Sequence, residues 1–230
     1  ELKEGCASEL LQFAGWIAEK FHLHPEPLSK YARGLSLLNI EGADWKSAEH
    51  PMRRPEPRGL LTASISGVFT AQASALREQG GAESIKALRI QIRKLRVLLK
   101  FLQPYLRREG AAPHMEKLKQ WGELLGSIRD LDVLQTAWLD FSGNCKIMLD
   151  NPGDWPVVIA ERRDFLATTV LYRLGRAELT RGLFELQAWL LQTVPSAEAD
   201  SIPSDSHVRK SLMALVQELR AAPAVPGLDE

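Results

Sequence analysis

Apolar residues recur at intervals of three and four along most of the chain, and this spacing predicts helices. One helix is predicted over residues 6–21. Its apolar positions are Leu10, Phe13, Ala14, Ile17 and Phe21. Further helices are predicted at residues 60–79, 83–108, 113–139, 156–177, 180–194 and 204–221. No alternating strand pattern interrupts the later helices, so the pattern predicts an all-α antiparallel bundle.

Prolines divide this pattern into three parts. Two prolines end the first helix, and residues 31–40 are predicted to form a short strand or an irregular segment. Three prolines within residues 47–59 predict a linker. We therefore expect an N-terminal segment over residues 1–46, a linker over 47–59 and a helical bundle over 60–230.

Composition restricts the class of protein without identifying it. With 45% hydrophobic and 25% charged residues among 230, the chain has the composition of a globular protein. The 29 basic and 29 acidic residues cancel, which argues against a uniformly basic nucleic-acid binder but allows a local patch. The chain contains no apolar run of about 20 residues and no export signal, and it has only two cysteines. We expect a cytoplasmic protein without a membrane partner.

The charge is concentrated on one predicted helix, because residues 85–108 contain eight basic residues and no acid. Five of these cations follow a spacing of 3, 4, 3 and 4, which keeps them within an arc of about 80° over roughly 21 Å of helix. They are Lys86, Arg89, Arg93, Arg96 and Lys100, and we call them the cationic row. An apolar seam adjoins the row and consists of Leu88, Ile92, Leu95, Leu99, Leu102 and Leu106.

Two interpretations of the row remain open at this stage. A row of this length suits a long polyanion, because arginine and lysine both bind phosphate oxygens. Alternatively, Glu116, Glu123 and Asp130, which recur every seven residues on the next helix, would neutralise the row in an internal salt ladder. Residues 85–137 contain eleven basic and five acidic residues, so internal pairing would leave about six charges over.

Two linked motifs resemble the CHAD family, whose members are α-helical domains made of two related bundles. Its first pattern, H-x-x-R-x-x-x-R-R-x-R, is matched by Arg89, Arg93, Lys94 and Arg96, and its second, G-x-x-R-D-x-D-V-L, is matched from Gly126 to Leu134. The resemblance covers roughly residues 60–230. It implies binding of inorganic polyphosphate, and other polyanions as a further option, in a basic channel. The site residues that we assign are Lys86, Arg89, Arg93, Lys94, Arg96, Lys100, Arg129, Arg173 and Arg176.

The chain departs from the family pattern at two places. Lys86 stands where the family has histidine, and it keeps a positive charge at neutral pH but is not expected to bind a metal. The family also repeats its basic helix in the second bundle, and the chain ends about where that helix should begin. We therefore expect an incomplete second bundle, either because the sequence is a fragment or because the second bundle is unusually short.

The N-terminal segment resembles the last part of a CYTH domain, a triphosphate-binding β-tunnel. Lys30 and Arg33 match that family's S-K-x-x-R-G pattern, whose basic side chains face triphosphate. The family's E-x-E-x-K motif, which binds metal and phosphate, is absent. These two residues are therefore a possible remnant of a triphosphate site, and no metal site is expected.

Other charged residues allow both a structural and a functional interpretation. Arg129 and Asp130 form an ion pair across the bundle, or Arg129 also contacts ligand. Gly126 predicts a close contact between helices. A second basic group is either a solvated surface or a far wall of the same channel, and it contains Arg162, Arg163, Arg173, Arg176 and Arg181.

The sequence therefore predicts a non-enzymatic polyphosphate-binding module without cofactors. The alternatives are an RNA-binding helical domain and a helical scaffold attached to a triphosphate-hydrolysing tunnel domain. The expected location is the cytoplasm, with polyphosphate granules as a candidate site, and the oligomeric state stays open.

Overall fold

The computed structural model describes residues 5–27, 57–103, 110–144 and 155–193, together with Met213. Several predictions fall outside these residues. They concern Lys30 and Arg33, most of the proline-rich linker, Leu106 and the helix predicted over residues 204–221.

Every regular element of the described ranges is a helix, which confirms the all-α prediction. The helices are α1 (Ala7–Phe21), α2 (Pro57–Arg77), α3 (Ala82–Leu102), α4 (Ala111–Asn144), α5 (Trp155–Gly175) and α6 (Glu178–Thr193). Helix α4 continues to Asn144 and not to about residue 139 as predicted. Its 34 residues make it about 51 Å long.

Successive helices from α2 to α5 pack side by side, and α5 and α6 also contact α2. The α2–α3 turn is tight because Gln79 and Gly80 adopt left-handed φ angles of 48° and 76°. The Gly80 N–H donates a hydrogen bond to the Ala75 carbonyl at 2.9 Å, which satisfies a carbonyl at the end of α2. The turn reverses the chain, so α3 runs back along α2.

The apolar seam of α3 lies in the core, as its spacing predicted. Its described members are Leu88, Ile92, Leu95, Leu99 and Leu102, and all are at most 5% exposed. Leu61, Ile65 and Val68 of α2 are fully buried in the same cluster. By its length and composition alone, the segment Gly59–Arg77 of α2 could cross a membrane. Its buried side chains show that it is a core helix of the bundle.

Helix α1 forms where predicted, but three of its five predicted apolar positions, Leu10, Phe13 and Phe21, are exposed. It packs on α6 through a face whose buried residues are the small Ser8, Gly15 and Ala18. A β-carbon placed on Gly15 would lie 3.4 Å from Phe184 Cβ, so glycine allows the two helices to approach closely.

A polar cluster joins the end of α1 to the bundle. Gln72 Nε2 lies 2.8 Å from Thr180 Oγ1 and 3.1 Å from His24 Nδ1. Gln72 and Thr180 are buried, and burial lowers the pKa of His24. The cluster therefore favours a neutral His24 and connects residues on either side of the predicted linker.

Candidate functional site

Helix α3 carries the cationic row beside its buried seam. Arg89 and Arg96 are partly buried, whereas Arg93 is exposed. Lys94 is also exposed, and it lies about 100° around the helix from Arg93. Lys94 therefore lies outside the row that the other cations form.

Two arginines of the row lie over glycines of α4. A β-carbon placed on Gly122 would lie 3.1 Å from Arg96 Nη1, and one placed on Gly126 would lie 3.8 Å from Arg89 Nε. The predicted contact between helices at Gly126 is thus made by an arginine side chain of α3. Residue numbers fall along α3 as they rise along α4, so the two helices are antiparallel at this contact.

The salt ladder that was considered as the alternative between α3 and α4 is not formed by the described residues. Glu116 and Glu123 instead approach Lys119 of their own helix, at 4.0 and 3.8 Å. Lys86 Nζ lies 3.0 Å from Glu83 Oε2 of α3, and both side chains are exposed. An exposed pair of this kind adds little stability and competes weakly with other anions.

Three arginines of the row have no recorded carboxylate partner in the part of the chain that the structure describes. They are Arg89, Arg93 and Arg96. The Nε atom of Arg96 is buried and has no hydrogen-bond partner there. These three arginines are therefore not neutralised by a carboxylate of the described residues, although the chain as a whole is neutral.

The ion pair considered between Arg129 and Asp130 is also not recorded within the described ranges. The buried carboxylate of the second motif is Asp132, whose Oδ1 accepts a hydrogen bond from Arg163 Nε at 3.2 Å. Arg163 Nη2 donates a second bond to the Gly80 carbonyl at 2.9 Å. This arginine thus joins α4, α5 and the α2–α3 turn, and its role is structural.

The second basic group lies on another side of α4. Arg173 Nε donates to Glu178 Oε2 at 2.8 Å, and its guanidinium lies 4.7 Å from the Trp121 ring centre. Trp121 and Gly122 are adjacent and point about 100° apart on α4. Arg173 therefore lies beside a face of α4 that adjoins the one under Arg96, and Arg176 Nη1 donates a hydrogen bond to Tyr172 Oη at 3.3 Å.

A network of opposite charges continues along α6. Arg181 binds Glu19 of α1 and Glu185 of α6, and Lys117 Nζ lies 2.7 Å from Glu185 Oε2. Burial alone would raise the pKa of Glu185, but the hydrogen bonds from Lys117 and Arg181 outweigh it and leave the pKa lowered. We call this network, with Arg173 and Glu178, the paired surface.

His114 lies at the edge of the paired surface, 5.6 Å from Trp189 between ring centres. Burial, followed by the nearby charge of Lys117, lowers the pKa of His114, and its Nδ1 is buried without a partner. No group of three potential metal ligands occurs among the residues that the structure describes. The arrangement therefore offers charge pairing on one side of α4 and unpaired cations on the other.

The geometry defines the class of fold as an antiparallel helical bundle, and α3, the second helix of this bundle, carries the basic residues. The family model of the CHAD domain matches residues 62–230, which is well over half of the chain. The chain therefore belongs to the CHAD domain family. Comparison with curated proteins gives no match, and comparison with solved structures gives none either.

Sequence reasoning missed two features of the site. The pairing of Asp132 with Arg163 depends on how α4 and α5 meet, and residue spacing does not report that. Gly122 was overlooked, although Gly122 and Gly126 stand one turn apart inside a helical pattern, where glycine is unfavourable. That pair of glycines was the sequence signal that could have predicted the close contact with the arginines.

Proposed function

We propose that the chain is a non-enzymatic module that binds inorganic polyphosphate through the cationic row. The observation that carries the proposal is the absence of carboxylate partners for Arg89, Arg93 and Arg96 among the described residues. Membership of the CHAD family supports the same ligand. The cytoplasm, including its polyphosphate granules, is the proposed location.

The chemistry of the row favours a long, flexible polyanion. Arg89 and Arg96 are seven residues apart, or about 10 Å along the helix, so a single phosphate cannot reach both. A chain of phosphates can contact them in succession, because guanidinium groups bind phosphate oxygens through parallel hydrogen bonds. Repulsion between the like charges of the row is relieved when the anion binds.

The proposal is tested by titrating the protein with long-chain polyphosphate at about 50 mM and about 200 mM salt. By analogy with nucleic acids, four to five phosphate contacts predict an affinity about a hundredfold lower at the higher salt. Undetectable binding at the lower salt would refute the proposal. In the same samples, added magnesium and tripolyphosphate should release no orthophosphate, because the proposed module binds without hydrolysis.

Charge reversal locates the site. The variant Arg93→Glu plus Arg96→Glu should lose binding without unfolding, because neither side chain belongs to the buried seam. Its matched control is Arg77→Glu plus Arg162→Glu, which makes the same change in net charge at exposed positions of α2 and α5. Equal binding by the two variants would place the site elsewhere.

An RNA ligand is the alternative outcome. Sequence-specific RNA recognition uses aromatic side chains on which bases stack, and the ring of Trp121 is instead covered by Arg173. Competition between tRNA and polyphosphate separates the two ligands. Displacement of polyphosphate by tRNA at equal phosphate concentration would favour RNA.

A further inference from the structure

Two glycines of α4 lie directly under the proposed binding row. The nearest side-chain atoms to β-carbons placed on Gly122 and Gly126 belong to Arg96 and Arg89. Both glycines lie inside a 34-residue helix, where alanine would be more favourable. The presence of Gly122 is explained if the space above it is needed by Arg96.

We infer that Gly122 is a positioning residue, which provides the seat in which Arg96 is held for polyanion binding. This inference rests on the proposed function. A β-carbon at Gly122 would come 3.1 Å from Arg96 Nη1, which is closer than ordinary contact, so a larger side chain displaces the guanidinium. Gly126 leaves 3.8 Å beneath Arg89 Nε and therefore tolerates alanine.

The surroundings of the Arg96 guanidinium indicate how Gly122 restrains it. Its Nε is buried and has no hydrogen-bond partner among the described residues, and its Nη1 is the atom that a β-carbon on Gly122 would meet. The guanidinium thus lies against α4 at Gly122. A side chain already held in this way loses less conformational freedom when it binds.

The test uses Gly122→Leu, with Gly122→Ala as the milder variant. Gly67→Leu and Gly67→Ala are the matched controls, because a β-carbon on Gly67 of α2 would lie 3.1 Å from Gln91 Oε1, at equal closeness to an uncharged partner. Long-chain polyphosphate is the probe. Gly122→Leu should weaken its binding about three- to tenfold, Gly122→Ala less, and the folded Gly67 variants not at all.

A double-mutant cycle distinguishes positioning from a general structural effect. If Gly122 acts through Arg96, then Gly122→Leu should cause no further loss in the Arg96→Gln background. A full additional loss in that background would overturn the inference, and so would unchanged binding by folded Gly122→Leu.

A measurement without ligand tests whether Gly122 holds the Arg96 side chain, independently of polyphosphate binding. Hydrogen exchange at Arg96 Nε–H should be slow in the wild type and in Gly67→Ala, and faster in Gly122→Ala. Equal exchange in all three proteins would show that no seat exists. If exchange behaves as expected but wild-type protein fails to bind polyphosphate, the proposed function fails and the seat has no binding role.

Discussion

Arginines of neighbouring helices lie against two sides of α4, and the two groups differ in whether a carboxylate pairs with them. On the α6 side, Arg173 and Arg181 have carboxylate partners, and Lys117 shares Glu185 with Arg181. On the α3 side, Arg89 and Arg96 lie over glycines, without a recorded carboxylate in the described part of the chain. The difference teaches that clustered positive charge does not by itself indicate a ligand site, because the fold can neutralise such a cluster.

The largest expected effect on stability concerns the largely buried ion pair between Asp132 and Arg163, which joins α4 to α5. Asp132→Asn should lower the free energy of unfolding by about 3 kcal/mol, because it leaves the charge of Arg163 largely buried without its partner. Chemical denaturation measures the change. The matched control is Asp130→Asn, which removes an exposed carboxylate two residues away and should shift stability by at most about 0.5 kcal/mol. Equal losses would contradict a special role for Asp132.

The next effect compares the two sides by binding. Arg89→Gln plus Arg93→Gln should weaken polyphosphate binding about tenfold, because two phosphate contacts are lost. Arg173→Gln plus Arg176→Gln makes the same charge change where the side chains already have Glu178 and Tyr172 as partners. Isothermal titration of both variants should show less than about a twofold loss for the second. A tenfold loss there would make the second basic group part of the site.

A smaller effect is expected from pH, and it should arise on the paired side. Burial lowers the folded-state pKa of His114, so the folded protein binds fewer protons than the unfolded chain just below the ordinary histidine pKa. The stabilising contribution is complete above about pH 6.5 and is lost as pH falls through the folded-state value. Denaturation of wild type and His114→Phe should show a weaker pH dependence in the variant.

His24 gives this experiment an internal comparison, because burial lowers its pKa too. The variant His114→Phe should therefore retain part of the pH dependence, which His24→Gln removes further. Polyphosphate binding should stay constant over the same range, since neither histidine belongs to the row. An unchanged stability profile in both variants would refute the assignment to these histidines.

The smallest effect should come from the exposed pair within the row. Glu83→Gln releases Lys86 and is expected to raise polyphosphate affinity by no more than about twofold. Stability should fall by only about 0.3 kcal/mol, the usual range for such pairs on a helix. The control is Glu78→Gln, which removes another exposed acid outside α3. A lower affinity of Glu83→Gln would contradict a competing role for Glu83.

Much of the fold followed from residue spacing, because spacing along one helix fixes which side chains share a face. The seam from Leu88 to Leu102 was predicted to be buried, and it is. The outward-facing apolar residues of α1 show where this reasoning stops. Its spacing identified the helix, but the close approach permitted by Gly15 determined which face packs on α6.

The site was predictable in part for the same reason. The cationic row lies on one helix, so its geometry depends only on local spacing. Partners on other helices could not be deduced, and the ladder considered for Glu116 and Glu123 is replaced by contacts with Lys119. Arg163 and Arg173 looked alike in the sequence, yet Asp132 and Glu178 give each a structural partner.

The most direct test of the central claim is a titration of the arginine Nε–H resonances with long-chain polyphosphate, monitored by NMR spectroscopy. The account predicts that the resonances of Arg89, Arg93 and Arg96 shift with ligand, whereas those of Arg173 and Arg181 do not. Shifts confined to the paired surface, or no shift at any arginine when binding is saturated, would contradict it.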